Sequence, residues 1–272
     1  MLSYFALGYM TSHRPVTHVS SPKLIPIPEI PSPRVPLLAV DDSSGYTNGR
    51  VYDEIAAYLK GLSHVEVVRV LVMGAANSRQ GVYGFEDPAH PYWQQFNNVD
   101  VVGTDFSAAN ATKGSIIDFT HVRITADAHT LASSVGEERY HVVLSIAVFE
   151  HLRYPSLAAA EILRVLVPDG LVFVDTHHTF KTHGYPFDYF RFTTQGLLAL
   201  FPKSFPVEVI STFYHHEVAY IGDPNAQNIL LPTTEMKQAG EESWLNTCIF
   251  ARKTRSTKGA LFTSSYPYEL GT

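Results

Sequence analysis

Cysteine is almost missing from this chain of 272 residues. Cys248 stands alone, so no internal disulfide is available, and a reducing compartment suits the chain. A surplus of positive charge is missing as well. The 20 Lys and Arg face 26 Asp and Glu, for a formal net charge of −6. Without a basic footprint, a nucleic-acid partner is not expected. No stretch reaches the roughly 18 uninterrupted apolar residues of a membrane helix. Met1–Met10, although apolar, lacks a basic flank and a small-residue cleavage site. The expectation is a cytoplasmic protein with no membrane partner. A Gly-x-Gly-x-x-Gly turn is also absent, which speaks against a nicotinamide dinucleotide site. What is present is ample apolar material, 45% of the residues, enough to bury one large core.

Proline is unevenly spread. Seven of the 17 prolines fall between Pro15 and Pro36, a density at which neither helix nor central strand persists. Residues 1–45 are therefore expected to form an extended arm, packed along a surface or serving a homo-oligomer contact. From Thr47 to Leu62 the apolar positions Val51, Ile55, Tyr58 and Leu59 recur at helical spacing, and Gly61 suits the stop. After this helix, short apolar runs alternate with helical patterns. Strands are expected at Val67–Met73, Val99–Gly103, His121–Thr125, Tyr140–Ser145 and Leu171–Thr176. The clearest helix is Ser156–Val167, closed by the turn Pro168-Asp169-Gly170. A helix at Thr194–Phe201 and strands at Val207–Tyr214 and Leu245–Arg252 complete the pattern. Cys248 lies in the last of these runs and reads as a buried small hydrophobe. The implied fold is α/β: a doubly wound, mostly parallel seven-stranded sheet with helices on both faces, over residues 46–253. Residues 254–272 read as a tail rich in Ser, Thr and Tyr.

In open α/β sheets the ligand lies beyond the carboxyl ends of the strands, so the polar residues there matter most. The first strand ends in Met73-Gly74-Ala75-Ala76-Asn77-Ser78, where small residues permit close backbone approach and offer amide donors. The second ends in Asp105, placed to accept from the hydroxyls of an adenosine ribose. The third ends in Asp127-Ala128, placed to meet an exocyclic amine. Either acid can instead cap the helix that follows it.

The run Tyr140-His141-Val142-Val143-Leu144-Ser145-Ile146-Ala147-Val148-Phe149-Glu150-His151-Leu152 resembles the fourth-strand motif of class I S-adenosylmethionine-dependent methyltransferases. The likeness continues through Glu161-Ile162-Leu163-Arg164-Val165-Leu166-Val167-Pro168-Asp169-Gly170 and into Gly184–Thr193. It implies S-adenosylmethionine as cofactor. Gly74, Ala76 and Asn77 would face its methionine part, Asp105 its ribose, and Phe106, Asp127 and Ala128 its adenine. Ser145 and Ala147 would line the floor near the sulfonium, with Glu150 and His151 at the mouth of the acceptor site. Two positions depart from the family pattern: Val72 stands where an acid is usual, and Ala76 where a second glycine is usual.

Methyl transfer to a hydroxyl needs the acceptor positioned and its proton removed. His151 is the first candidate base and His178 the second. The acidic composition and the absence of an Asn-Pro-Pro-Tyr motif at Ser145-Ile146-Ala147-Val148 favour a small-molecule acceptor and O-methylation. The rival reading is a non-methylating relative, a scaffold or a repurposed enzyme, suggested by the altered glycine turn. Histidines are plentiful, 13 in all. His177, His178 and His183 follow the fifth strand, and His215, His216 and Glu217 end a later one, with Asp175 and Asp188 as nearby acids. Their spacing matches no tight ligand motif, and neighbours on a strand face opposite ways, so the sequence assigns no metal.

Overall fold

Thr47 caps the first helix, its Oγ1 accepting from the Arg50 amide at 3.3 Å. The computed structural model describes residues 47–78, 90–106, 117–180, 182–184, 186–215, 219–223, 226–231 and 245–258. The proline-rich arm lies outside them, as does nearly all of the tail. All described residues belong to the unit Ser32–Thr272.

The helix, α1 (Asn48–Gly61), buries Val51, Ile55, Tyr58 and Leu59, the stripe its sequence spacing marks out. Seven strands follow: β1 (Val68–Met73), β2 (Val99–Asp105), β3 (Ile124–Thr125), β4 (Tyr140–Ile146), β5 (Leu166–Thr179), β6 (Val207–His215) and β7 (Leu245–Lys253). They form one sheet in the order β3-β2-β1-β4-β5-β7-β6. β1, β2, β3, β4 and β5 pair in parallel, and β7 runs antiparallel to both β5 and β6. The sheet is thus mostly parallel with one reversed strand, as the alternation implies. Between the strands lie α2 (Leu131–Val135), α3 (Pro155–Val165) and α4 (Thr194–Ala199). Two antiparallel ribbons, Asn77–Ser78 with Ile117–Asp118 and Ala219–Asp223 with Ala226–Leu231, stand apart from the main sheet.

Burial on both faces explains why the strands read as unbroken apolar runs. One face packs Val70, Val72, Val142, Leu144, Leu171 and Phe173 against α1. The other packs Leu71, Met73, Val143, Val172 and Val174 against α2, α3 and α4. The odd and even positions separate as the two-residue period of a strand requires. Among the described residues no helix is long and apolar enough to cross a membrane.

The structure moves one boundary. α3 ends at Val165 and β5 begins at once with Leu166, so Pro168-Asp169-Gly170 lies within the strand instead of before it. Pro168 disfavours helical backbone at Val167. Asp169, at φ 62°, accompanies a break in the β4–β5 register between Tyr140 and Val142. The tripeptide therefore makes an irregularity in the strand rather than a separate loop. Between β1 and β2 the chain makes a 3-10 turn at Pro91–Gln95; residues 79–89 lie outside the described set.

Strand order reverses at β1, which has β2 on one side and β4 on the other. The carboxyl ends of β1 and β4 therefore border the crevice where ligands of such sheets bind.

Candidate functional site

The β1–β2 side of the crevice is built from backbone. Gly74 has φ +75°, and a Cβ there would lie 2.3 Å from Val148 Cγ2, so only glycine fits the turn. The Gly74 and Ala75 amides both donate to the Thr104 carbonyl, at 2.9 and 3.0 Å, tying the end of β1 to β2. The next amide, of Ala76, donates to Asp105 Oδ2 at 2.9 Å, and the Phe106 amide donates to Asp105 Oδ1 at 2.7 Å. Burial raises the Asp105 pKa, opposed by these two amides and by the nearby His151 imidazole. Asp105 is thus oriented beside the small-residue turn. Phe106 is exposed and meets Phe119 edge-on at 5.8 Å. Asn77 enters the short ribbon opposite Asp118.

Asp127 adopts the capping role that the sequence left open. Its Oδ1 accepts from the His129 amide at 2.8 Å and lies 2.7 Å from His129 Nδ1. Burial tends to raise its pKa, but the His129 contacts outweigh that and lower it. Ala128 follows it, half-buried against the core. On β4, Ser145 is fully buried, and its Oγ meets no hydrogen-bond partner among the described residues. Ala147, at φ 52°, donates its amide to the Asp175 carbonyl at 2.8 Å. A non-glycine residue in that conformation costs backbone energy, and such residues gather at functional sites.

The β4–β5 side is built from side chains. Glu150 is fully buried just past β4, and its Oε2 accepts from Thr176 Oγ1 at 2.6 Å. Its Oε1 receives no hydrogen bond among the described residues. Three histidine Nε2 atoms surround that oxygen: His177 at 3.1 Å, His183 at 3.8 Å and His151 at 3.9 Å. Each ring is held from its far side. His151 Nδ1 lies 2.8 Å from the Phe187 carbonyl, His177 Nδ1 2.8 Å from Asn246 Oδ1, and His183 Nδ1 3.5 Å from Asp188 Oδ2. Asp188 also accepts from the His183 amide and pairs with Arg191, whose guanidinium holds its pKa well below the usual carboxylate range. Burial, then the neighbouring His151 and His177, lower the pKa of His183, against the pull of Glu150 and Asp188. Gly184 takes φ +62°, and a Cβ there would lie 2.7 Å from His151 Cε1. The loop after β5 thus packs directly on the His151 ring.

The fold therefore gathers His151 with Glu150 but leaves His178 elsewhere. His178 Nδ1 lies 2.8 Å from the Phe192 carbonyl and its ring meets Tyr214. His177, its neighbour on β5, joins the Glu150 group, in keeping with alternation along a strand. Sequence reasoning weighed His177 and Asp188 only as metal ligands and set them aside, and it passed over Asn246. The only signal was the cluster of histidines and an acid after β5, and register decides which of them turn inward. Asp175, two residues before His177, is lifted to about 6 by burial, partly offset by Asn48, Asn246 and Cys248.

Residues 86–174 match the family model described as a methyltransferase domain. No curated protein matches the chain. Solved structures similar to it include the carbon methyltransferase DszA, at 12% identity and TM-score 0.46, covering 76% of this chain and 53% of that one. The carbon methyltransferase CurJ has 15% identity and TM-score 0.44, covering 77% of this chain and 56% of that one. The YcgJ protein of Bacillus subtilis has 14% identity and TM-score 0.42, covering 73% of this chain and 98% of that one. The matched segment lies within the seven-stranded, mostly parallel sheet, so this part of the chain is similar to a methyltransferase domain, and S-adenosylmethionine is the methyl donor that the similarity implies.

Proposed function

We propose that this chain transfers a methyl group to a hydroxyl oxygen of a small-molecule acceptor. The observation that carries the reading is the group around Glu150. A buried carboxylate and three oriented imidazoles stand at the carboxyl ends of β4 and β5, beside the carboxylate of Asp105.

The β1–β2 side fits S-adenosylmethionine. A Cβ at Gly74 would fill the turn, Asp105 is held by two amides with its remaining lone pairs available to a ribose, and Phe106 offers an exposed ring for the adenine. Ala76 and Asn77 would lie along the methionine part, Asp127 and Ala128 along the adenine edge, and Ser145 and Ala147 beneath the sulfonium. When bound, the cofactor supplies an electrophilic methyl group. The chain positions the acceptor and handles its proton, which is where most of the acceleration of an in-line displacement arises. His151 is set up for the proton. A carbonyl only accepts hydrogen bonds, so the Phe187 contact places a proton on His151 Nδ1 and leaves Nε2 as a lone pair. A recess lined by Phe180, Thr182, Asp188 and Arg191 adjoins the histidines and offers a small acceptor both an apolar wall and charged groups.

In this reading residues 46–253 form the catalytic domain, the arm 1–45 serves self-association, and the protein works in the cytoplasm. The test is calorimetric titration with S-adenosylmethionine and S-adenosylhomocysteine, then a radiolabelled methyl-transfer screen over hydroxylated metabolites. Micromolar binding of both cofactor forms with label in an ether or ester supports it. A folded chain that binds neither would leave the scaffold alternative standing.

A further inference from the structure

We propose that Asp188 is the positioning residue of His151: with Arg191 it braces the loop after β5, so that the Phe187 carbonyl fixes the His151 tautomer. The inference deepens the reading of His151 as the base and rests on it. A base must present a bare nitrogen to the acceptor hydroxyl, and a neutral imidazole can place its proton on either of two. What the other nitrogen meets decides between them. At His151 the two sides compete. The Phe187 carbonyl lies 2.8 Å from Nδ1, while the Glu150 carboxylate draws the proton the other way, with Oε1 3.9 Å from Nε2. The first distance is that of a hydrogen bond and the second is beyond the reach of one. That margin lasts only while the carbonyl cannot drift, so the loop that carries it has to be held.

It is held through Asp188, the residue after Phe187. Asp188 Oδ2 accepts from the His183 amide at 2.8 Å, and both of its oxygens accept from the Arg191 guanidinium, Oδ2 at 2.8 Å. Such a paired, charge-assisted contact is both strong and directional. The guanidinium carries the tie onward to the Phe180 and Phe190 carbonyls, at 3.2 and 2.7 Å. Inside this frame the Phe187 amide donates to the Gly184 carbonyl at 3.0 Å and closes a turn. Just beyond it, the Tyr189 and Phe190 amides donate to the Glu150 carbonyl, at 2.8 and 3.1 Å. Glu150 immediately precedes His151, so the loop is pinned to the backbone beside the ring that it orients. Gly184, at φ +62°, passes His151 Cε1 where a Cβ would lie 2.7 Å away, which closes the ring in from that side as well. The His183 ring, 4.6 Å from that of His151, has its Nδ1 3.5 Å from the same Asp188 carboxylate. Arg191 keeps Asp188 ionised, so the brace stays charged over the range in which histidines titrate.

The test reads the ring itself and contains neither cofactor nor acceptor. Nitrogen-15 histidine spectra of the full chain at mildly alkaline pH distinguish the two tautomers, and the signal missing from His151→Gln identifies the ring. Wild type should carry the proton on Nδ1. Asp188→Ala should raise the share of the Nε2-protonated form about fivefold or more, the worth of one ordinary hydrogen bond. Arg191→Lys keeps the charge but loses the paired contact, and should move the ring the same way to a smaller extent. It carries the test should Asp188→Ala fail to fold. A wild-type ring protonated on Nε2 needs no variant and would overturn the proposal. So would an unchanged tautomer in whichever variant folds, even with a lowered melting temperature, because Asp188 would then be structural alone. Failure here leaves the cofactor titration untouched, and failure there leaves these spectra untouched.

Discussion

Two buried carboxylates flank β4, and they are treated oppositely. Glu138 precedes the strand and Glu150 follows it. Glu138 Oε1 accepts from Lys253 Nζ at 3.0 Å, Ser256 Oγ at 2.7 Å and the Thr257 amide at 2.7 Å. Burial would raise its pKa, but these donors outweigh burial and lower it. Lys253, fully buried, spends its other protons on the Leu166 carbonyl and Thr257 Oγ1. Glu150 instead has one donor on Oε2, and Oε1 faces the three histidine nitrogens. A carboxylate kept for architecture is saturated by the chain itself. One kept for chemistry is left with an oxygen that the chain does not satisfy.

The largest effect tests the saturated end. Lys253→Met removes the buried cation and leaves Glu138 with only the exposed Lys258 Nζ, at 3.7 Å, as a charged partner. The expected loss is about 3–5 kcal/mol of stability by denaturant unfolding. A loss under ~1 kcal/mol would show that Glu138 is not structural, and the contrast would fail.

Acid sensitivity sharpens the comparison. His141, at the same end of β4, accepts the Arg69 amide at Nδ1 (3.0 Å), and burial drives its pKa from 6.5 to about 4. The folded chain keeps this ring neutral, whereas the unfolded chain takes up a proton as pH falls below 6.5. Stability from this source is complete above pH 6.5 and is lost on the way down to about pH 4. The interval from 6.5 to 4 corresponds to ~3 kcal/mol. His141→Asn keeps an acceptor for Arg69 and should flatten the melting temperature over that range. An unchanged slope would place the acid sensitivity elsewhere.

A third carboxylate, Asp105, tests the backbone-built side of the crevice. Its two amide contacts orient it without saturating it. Asp105→Ala should weaken S-adenosylmethionine binding tenfold or more, about 1.4 kcal/mol, measured calorimetrically. Wild-type affinity would remove Asp105 from the ribose.

How much of this could be read in advance follows the same division. β1, β4 and β7 were legible because burial on two faces writes itself as an unbroken apolar run, as at Val68–Met73. Asp105 and Gly74 were legible because each occupies a strand end, although Asp105 meets the Ala76 amide across 29 positions of sequence. The hydrogen bond between His177 Nδ1 and Asn246 Oδ1 spans 69 positions, and Glu150 is 33 positions from His183 in the sequence. No periodicity encodes such a meeting. Only the register of β5 against β7, which sets Asn246 opposite His177, selects His177 over His178. The boundary at Leu166 was misplaced because Pro-Asp-Gly is ordinarily a turn, and here the chain absorbs it as an irregularity within β5.

The smallest expected effect is the most discriminating. In Glu150→Gln the amide oxygen can still accept from Thr176, and the new N–H group faces His177 Nε2, where a donor has been lacking. The variant should therefore change stability by no more than ~1 kcal/mol. Were Glu150 the partner of a structural imidazolium, as Glu138 is of Lys253, the same substitution would strand a buried cation and cost about 3–5 kcal/mol. Unfolding curves for Lys253→Met and Glu150→Gln, recorded side by side, therefore decide whether the two carboxylates differ in kind. Equal losses would make Glu150 a second structural pair. A large loss in the first with little in the second would mark its free oxygen as held for a ligand.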